Sequence, residues 1–211
     1  MIRDLLLPAE SAADPGVTGN SRLTASTGVV LTVLLVIEGF TILDVRGYIT
    51  LHTVIGLLLV GPLVLKCATT MYRFARYYRG APAYVGRGAP PLLLRALGPL
   101  VVLSSLAVLG SGVALIAVHG RDGGWLTLHK ASFIVWIVVT GVHFLGHLFE
   151  AVLGTARDLS RNAAPAVRGR AIRLSSVALS LAVGVALAAA FTPSASSWHM
   201  NHNDQGHFRD H

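Results

Sequence analysis

The 211-residue chain contains few charged side chains, little lysine and a single cysteine. Charged residues make up 13% of the sequence, against about a quarter in a typical soluble protein. Hydrophobic residues account for 53%. Because Cys67 is the only cysteine, an intramolecular disulfide is excluded. The sequence also lacks any pattern typical of a nucleotide- or flavin-binding domain. This composition predicts an integral membrane protein.

Five apolar runs predict membrane-spanning helices. A helix needs about 20 apolar residues to cross the hydrocarbon core of a bilayer. The first run reaches this length if its helix begins near Leu23. We therefore expect an all-α membrane bundle of five transmembrane helices, with four in the core and the fifth peripheral. The expected divisions are a leader over residues 1–22, a helical domain over 23–192 and a His-rich tail over 193–211. The runs are Gly28–Leu43, Ile49–Met71, Leu92–Val118, Trp125–Leu148 and Leu174–Phe191.

The arginines predict the orientation of these spans. Twelve of them flank one side of the predicted bundle, whereas the other side has only Arg46, Arg121, Lys130 and Arg209. By the positive-inside rule, the amino terminus is cytoplasmic and the carboxy terminus is outside. The first 20 residues lack the apolar core of a signal peptide, so we expect a cytoplasmic leader. The net charge of +7 thus indicates topology and not nucleic-acid binding. The preference for Arg over Lys is typical of a GC-rich bacterial genome.

The links between the runs differ in length and composition. The second link contains several Gly and Pro residues, which favour an inner-face loop over a helix. The first and third links are short outer turns, and the fourth is polar and basic. The four links cover Asp44–Tyr48, Arg73–Pro91, His119–Gly124 and Glu150–Arg173.

Two histidines lie at matched depth in different spans. His52 is three residues into the second run and His129 is four residues into the fourth. At 1.5 Å per residue, both lie roughly 5 Å below the outer interface. An ionisable side chain inside a membrane is a candidate functional group, and two imidazoles on different helices could hold one metal between them. Either histidine alone could instead be an ordinary interfacial residue.

Further polar residues occur deeper in the spans. His143 lies 14 residues beyond His129, about 21 Å along the helix axis, and His147 projects from the same side as His129. The residue 14 positions beyond His52 is Lys66, which can extend to the inner interface. For His143 the alternatives are a second, five-coordinate haem, a hydrogen bond to a quinone, or a structural contact with Glu150 or a backbone carbonyl. Glu38 lies roughly 9 Å below the outer face, where it could accept protons or be a carboxyl group hydrogen-bonded within the bundle.

The two histidine segments resemble those of small membrane b-type cytochromes. This class includes bacterial cytochrome b, the cytochrome subunits of nickel–iron hydrogenase and formate dehydrogenase, and ferric-reductase-like proteins. The resemblance rests on Leu51-His52-Thr53-Val54-Ile55-Gly56 and on Leu128-His129-Lys130-Ala131-Ser132-Phe133 with His143 and His147, and it covers roughly Leu23 to Leu153. It implies non-covalent haem b and one-electron transfer between a membrane quinone pool and a partner redox protein. The protein would be an electron-transfer subunit of an oxidoreductase and not an independent enzyme. Covalent c-type haem is excluded because no Cys-x-x-Cys-His motif is present.

Residues near the two histidines are compatible with haem. Gly56, Gly110 and Gly112 would let helices approach a flat macrocycle, although small residues also serve ordinary helix packing. Arg46 and Lys130 at the outer edge could neutralise haem propionates, as could Arg121. Equally, these cations could contact only water.

The histidines of the tail support a different hypothesis. Imidazole binds Zn, Cu and Ni, so the protein could handle transition metals outside the membrane. The tail could also be a disordered polar segment. A third alternative is a structural subunit of a respiratory complex that carries no cofactor. The tail histidines are His199, His202, His207 and His211.

Overall fold

The computed structural model describes the backbone of residues 14–86, 92–119, 123–159 and 169–207, and the side chains of residues 14–86, 95–119, 123–145 and 169–192. The described residues form six helices and no strand, which confirms the all-α fold expected from the sequence. The helices are α1 (Pro15–Leu43), α2 (Ile49–Tyr78), α3 (Pro82–Gly86), α4 (Leu92–Ala117), α5 (Gly123–Leu159) and α6 (Arg170–His207).

Five of these helices, all except α3, are long and apolar enough to cross a membrane. Their outward faces carry large apolar side chains, including Phe40, Leu43 and Val138, which are 66%, 82% and 62% exposed. Contiguous apolar surface of this kind is unfavourable in water but suits the hydrocarbon of a bilayer. The protein is therefore a multi-pass membrane protein.

Helix α1 begins at Pro15, N-terminal to the start near Leu23 that hydropathy predicts. Its first turn is capped by Asp14, whose Oδ1 accepts hydrogen bonds from the backbone N–H groups of Gly16 (2.7 Å) and Val17 (3.2 Å). Proline is well suited to the first helical position, where its missing N–H leaves no hydrogen bond unmade. Capping and proline together start the helix ahead of the apolar run.

The predicted loop between the second and third spans is partly wrong. Helix α2 continues to Tyr78, and Gly80 then adopts a φ of 73° that ends the helix. The short helix α3 follows and inserts Tyr84 beside Tyr72, with 6.0 Å between the ring centroids. Burial, followed by the proximity of Tyr72, raises the pKa of the Tyr84 phenol. Local aromatic packing thus orders a segment whose Gly and Pro content predicts a loop.

The last two helices also extend further than expected. Helix α5 continues to Leu159 and α6 begins at Arg170, so both enter the link expected over Glu150–Arg173. The backbone of α6 then remains helical to His207, beyond Pro193. The described backbone of the tail is therefore helical as far as His207, in contrast to the disordered polar segment that was one alternative for it. Side chains beyond residue 192 lie outside the described set.

Four of the spans pack in a ring in the order α1, α2, α4 and α5. Adjacent helices contact each other around this ring, most closely in the α4–α5 hairpin and least closely between α2 and α4. Among the described residues, the diagonal pairs α1–α4 and α2–α5 have little or no backbone contact. His52 and His129 therefore belong to diagonally opposite helices.

The fifth span, α6, packs mainly along α2. Two glycines allow this close approach. A Cβ atom added at Gly184 would lie 2.5 Å from the carbonyl oxygen of Leu58, and one added at Gly61 would overlap the carbonyl oxygen of Ser180. Small residues at helix contacts let two backbones approach in a membrane, where the hydrophobic effect does not drive helix association.

Candidate functional site

His52 is held by two groups on helix α1. Its Nδ1 lies 2.8 Å from Glu38 Oε1 and 3.0 Å from Thr41 Oγ1. The Thr41 hydroxyl donates to the Glu38 carbonyl oxygen at 2.6 Å, so its oxygen is left to accept from His52. The side chains of His52 and Glu38 are 20% and 12% exposed, and Thr41 is buried. Because Glu38 is an acceptor, the proton of His52 belongs on Nδ1.

His129 is held in the same way by helix α4, but by different acceptors. Its Nδ1 lies 2.9 Å from the carbonyl oxygen of Val108 and 3.2 Å from Ser111 Oγ. Ser111 Oγ already donates to the carbonyl oxygen of Ala107 at 2.6 Å, so it too acts as an acceptor toward the imidazole. A backbone carbonyl cannot donate, so the proton of His129 also belongs on Nδ1.

The two imidazoles meet between diagonally opposite helices. Their ring centroids are 6.1 Å apart, and the ring planes are nearly perpendicular, at 82°. The structure thus brings together two histidines that the sequence places on different spans. The sequence could not show that both Nδ1 atoms are engaged by other helices.

Each imidazole has a second ring nitrogen, Nε2, that could bind a metal. Within the described part of the chain, no hydrogen bond reaches the Nε2 atom of either ring. Two imidazoles bound to one metal from opposite sides, with bonds of about 2.0 Å, would have ring centroids about 6 Å apart. Metal-binding histidines usually donate their other N–H to a carboxylate or a backbone carbonyl, which orients the ring. Both acceptor types are present here.

The described residues contain no cluster of three or more His, Cys, Asp or Glu side chains suited to a metal ion. A bare Zn²⁺ site usually needs three or four protein ligands, whereas haem iron needs only axial ones from the protein. The two-imidazole donor set therefore fits haem iron better than a bare ion.

Two glycines shape the space around the site. A Cβ added at Gly112 would lie 3.2 Å from Cε1 of His129, and one added at Gly56 would lie 3.6 Å from Glu38 Oε1. A Cβ at Gly110 would meet nothing within 4 Å. Gly112 thus leaves the His129 ring just enough room to keep its hydrogen bond to Val108.

Two of the three cations predicted to neutralise haem propionates lie at the same end of the bundle. Arg46 is exposed in the turn between α1 and α2, and Lys130 is exposed directly after His129. Neither forms a salt bridge with another described residue. Arg121 lies outside the described residues.

The other two histidines of α5 are not brought to the His52–His129 pair. His143 is half-buried further along the helix, and the side chain of His147 lies outside the described set. Lys66 lies 14 residues beyond His52, the same spacing that separates His143 from His129, and it donates from Nζ to the carbonyl oxygen of Thr24 at 2.8 Å. Two imidazoles therefore lie together at one end of the bundle, whereas a lysine hydrogen-bonded to a backbone carbonyl lies toward the other end.

The tail histidines fall where the structure describes little. The backbone of His199, His202 and His207 is helical, but their side chains lie outside the described set, as does all of His211. The metal-handling hypothesis stays a prediction.

Sequence reasoning missed the residues that hold the imidazoles. Thr41 and Ser111 were not identified, and a backbone acceptor such as the Val108 carbonyl has no sequence signal. One signal was available for Glu38. It lies five residues before the end of α1, and His52 lies three residues after the start of α2, so the short turn places both at similar depth.

Comparison with models of known protein families, with curated proteins and with solved structures finds no match to this chain.

Proposed function

We propose that the protein is a membrane b-type cytochrome in which His52 and His129 are the two axial ligands of one haem. The observation that carries the proposal is the 6.1 Å pair of imidazoles, each anchored through Nδ1 by a neighbouring helix. Bound haem would supply a one-electron Fe³⁺/Fe²⁺ couple.

The chain's own residues determine what such a site can do. Glu38 and the Val108 carbonyl hold both imidazoles in the tautomer that presents Nε2 to a metal. If both His52 and His129 bound the haem iron, they would leave it no position at which oxygen or a substrate could bind. This supports electron transfer and argues against an independent catalytic activity.

The distribution of charged residues supports one orientation of the helices across a bacterial cell membrane. Exposed arginines gather where α2 ends, at Arg76 and Arg79, far along that helix from His52. By the positive-inside rule this end is cytoplasmic, which places the two histidines near the outer surface and the amino terminus in the cytoplasm. A haem held there would transfer electrons between membrane quinone and a partner redox protein.

A dithionite-reduced minus air-oxidised absorption spectrum of the purified full-length protein tests the proposal. We expect sharp b-type bands in the wild type and their loss in both His52→Ala and His129→Ala. His119→Asn is the matched control, since it removes an exposed imidazole beside α4 at a φ of 51° that asparagine tolerates. That variant should keep the full spectrum.

Two results would contradict the proposal. One is a featureless wild-type spectrum after expression with adequate haem. The other is retention of b-type bands in both alanine variants, which would place the haem elsewhere in the bundle.

A further inference from the structure

The two imidazoles have acceptors of different strength. The Nδ1 of His52 faces a carboxyl group at 2.8 Å and a hydroxyl at 3.0 Å. The Nδ1 of His129 faces a neutral backbone carbonyl at 2.9 Å and a hydroxyl at 3.2 Å. Hydrogen bonds to a charged acceptor are roughly twice as strong as those between neutral groups. The site is therefore asymmetric.

Glu38 is held in place by its surroundings. Its side chain is 12% exposed in a membrane-spanning helix, where a carboxyl group is unfavourable without a partner. Thr41 bonds the Glu38 backbone, and Gly56 on α2 leaves room beside Oε1. Thr41 Oγ1 also lies 3.4 Å from Glu38 Oε2, so the carboxyl contacts Thr41 on its own helix and His52 on α2.

We infer that Glu38 is a positioning residue that makes His52 the stronger electron donor of the two ligands and so lowers the reduction potential of the haem. This inference rests on the proposed function. A carboxylate that accepts the Nδ1–H of a ligating imidazole fixes the ring and increases electron donation from Nε2. Stronger donation favours ferric over ferrous iron, and hydrogen bonding to ligands is one of the ways a protein tunes haem potential.

The test is an equilibrium redox titration of the haem-loaded full-length protein, combined with the rate of haem release to a scavenger protein. Glu38→Gln keeps the shape and an acceptor oxygen but removes the charge, so the potential should rise while haem content stays close to wild type. Glu38→Ala also removes the hydrogen bond, and haem release should become about 10- to 100-fold faster. Glu38→Asp keeps the charge but moves it away from the imidazole, so its potential should lie between those of wild type and Glu38→Gln.

Asp44→Asn is the matched control. It makes the same acid-to-amide change at the end of α1, where Asp44 Oδ1 accepts only the Gly47 N–H among the described residues, and it should leave the potential unchanged. A wild-type potential in Glu38→Gln would overturn the inference while leaving the proposed function intact. If Glu38→Gln does not fold, a potential in Glu38→Asp equal to wild type would overturn it. Absence of haem from the wild-type protein would overturn both proposals.

Discussion

Gly112 offers a steric test of the haem site. A Cβ at this position would lie 3.2 Å from Cε1 and 3.5 Å from Nδ1 of His129, whereas carbon atoms at optimal separation are about 3.5–4.0 Å apart. In Gly112→Ala the imidazole must therefore move by a few tenths of an ångström. Metal–ligand distances vary by only about 0.2 Å around their usual values, so a shift of this size is at or beyond what a metal–imidazole bond accepts. We expect Gly112→Ala to bind haem about 10-fold more weakly, a loss at the low end of those caused by disturbing ligand orientation.

Gly112→Val extends the same test. Its two γ-carbons reach further toward the ring, and we expect little or no haem. Gly110→Ala makes the same chemical change two residues away, where an added Cβ meets nothing within 4 Å. Because alanine favours a helix over glycine by about 1 kcal/mol, that control should fold at least as well as wild type.

The assay is haem per polypeptide, measured by haemochrome absorbance after purification, followed by haem titration of the haem-free protein. The expected order of affinity is wild type equal to Gly110→Ala, then Gly112→Ala, then Gly112→Val. Wild-type haem content in Gly112→Val, or an equal loss in Gly110→Ala, would refute the steric reasoning.

Three further variants test the packing and the number of haems. Gly184→Val should lower the free energy of unfolding in detergent by about 1–3 kcal/mol, the usual cost of overpacking, because its Cβ would overlap the α2 backbone. An unchanged melting temperature would contradict the close α2–α6 contact. Trp136→Phe removes the 2.9 Å hydrogen bond to Ser105 Oγ and should cost about 1 kcal/mol without loss of haem; complete haem loss would show that Trp136 belongs to the site. His143→Ala should keep the full b-type spectrum at one haem per chain, whereas loss of half the haem would indicate a second site.

Much of the architecture follows from hydropathy and from helix geometry. The five apolar runs correctly predict the five spans, because the length and apolarity of a run can be read from the sequence alone. The matched depth of His52 and His129 follows from a fixed rise per residue. Rotation of each helix about its axis is harder to predict, because apolar side chains occur on both the buried and the exposed sides of the spans. The contact between Glu38 and His52 depends on that rotation.

The helix ends were predicted less well, for identifiable reasons. Hydropathy places the start of α1 near Leu23 because polar residues such as Thr18 and Arg22 precede the apolar run, yet both are buried. The capping signal of Asp14 and Pro15 was present in the sequence and is a better guide. At the other end of the chain, Pro193 suggested a helix end, but the backbone of α6 continues past it.

Electron paramagnetic resonance of the oxidised protein tests most directly whether His52 and His129 together bind one haem. Two axial imidazoles make the iron low-spin, and ring planes at 82° predict the strongly anisotropic low-spin signal of perpendicular ligands. In His52→Gly the haem would be held by His129 alone or lost, so the low-spin signal should disappear, and haem added together with imidazole should restore it by filling the vacated position. A high-spin signal in the wild type, or a low-spin signal unchanged in His52→Gly, would contradict the account.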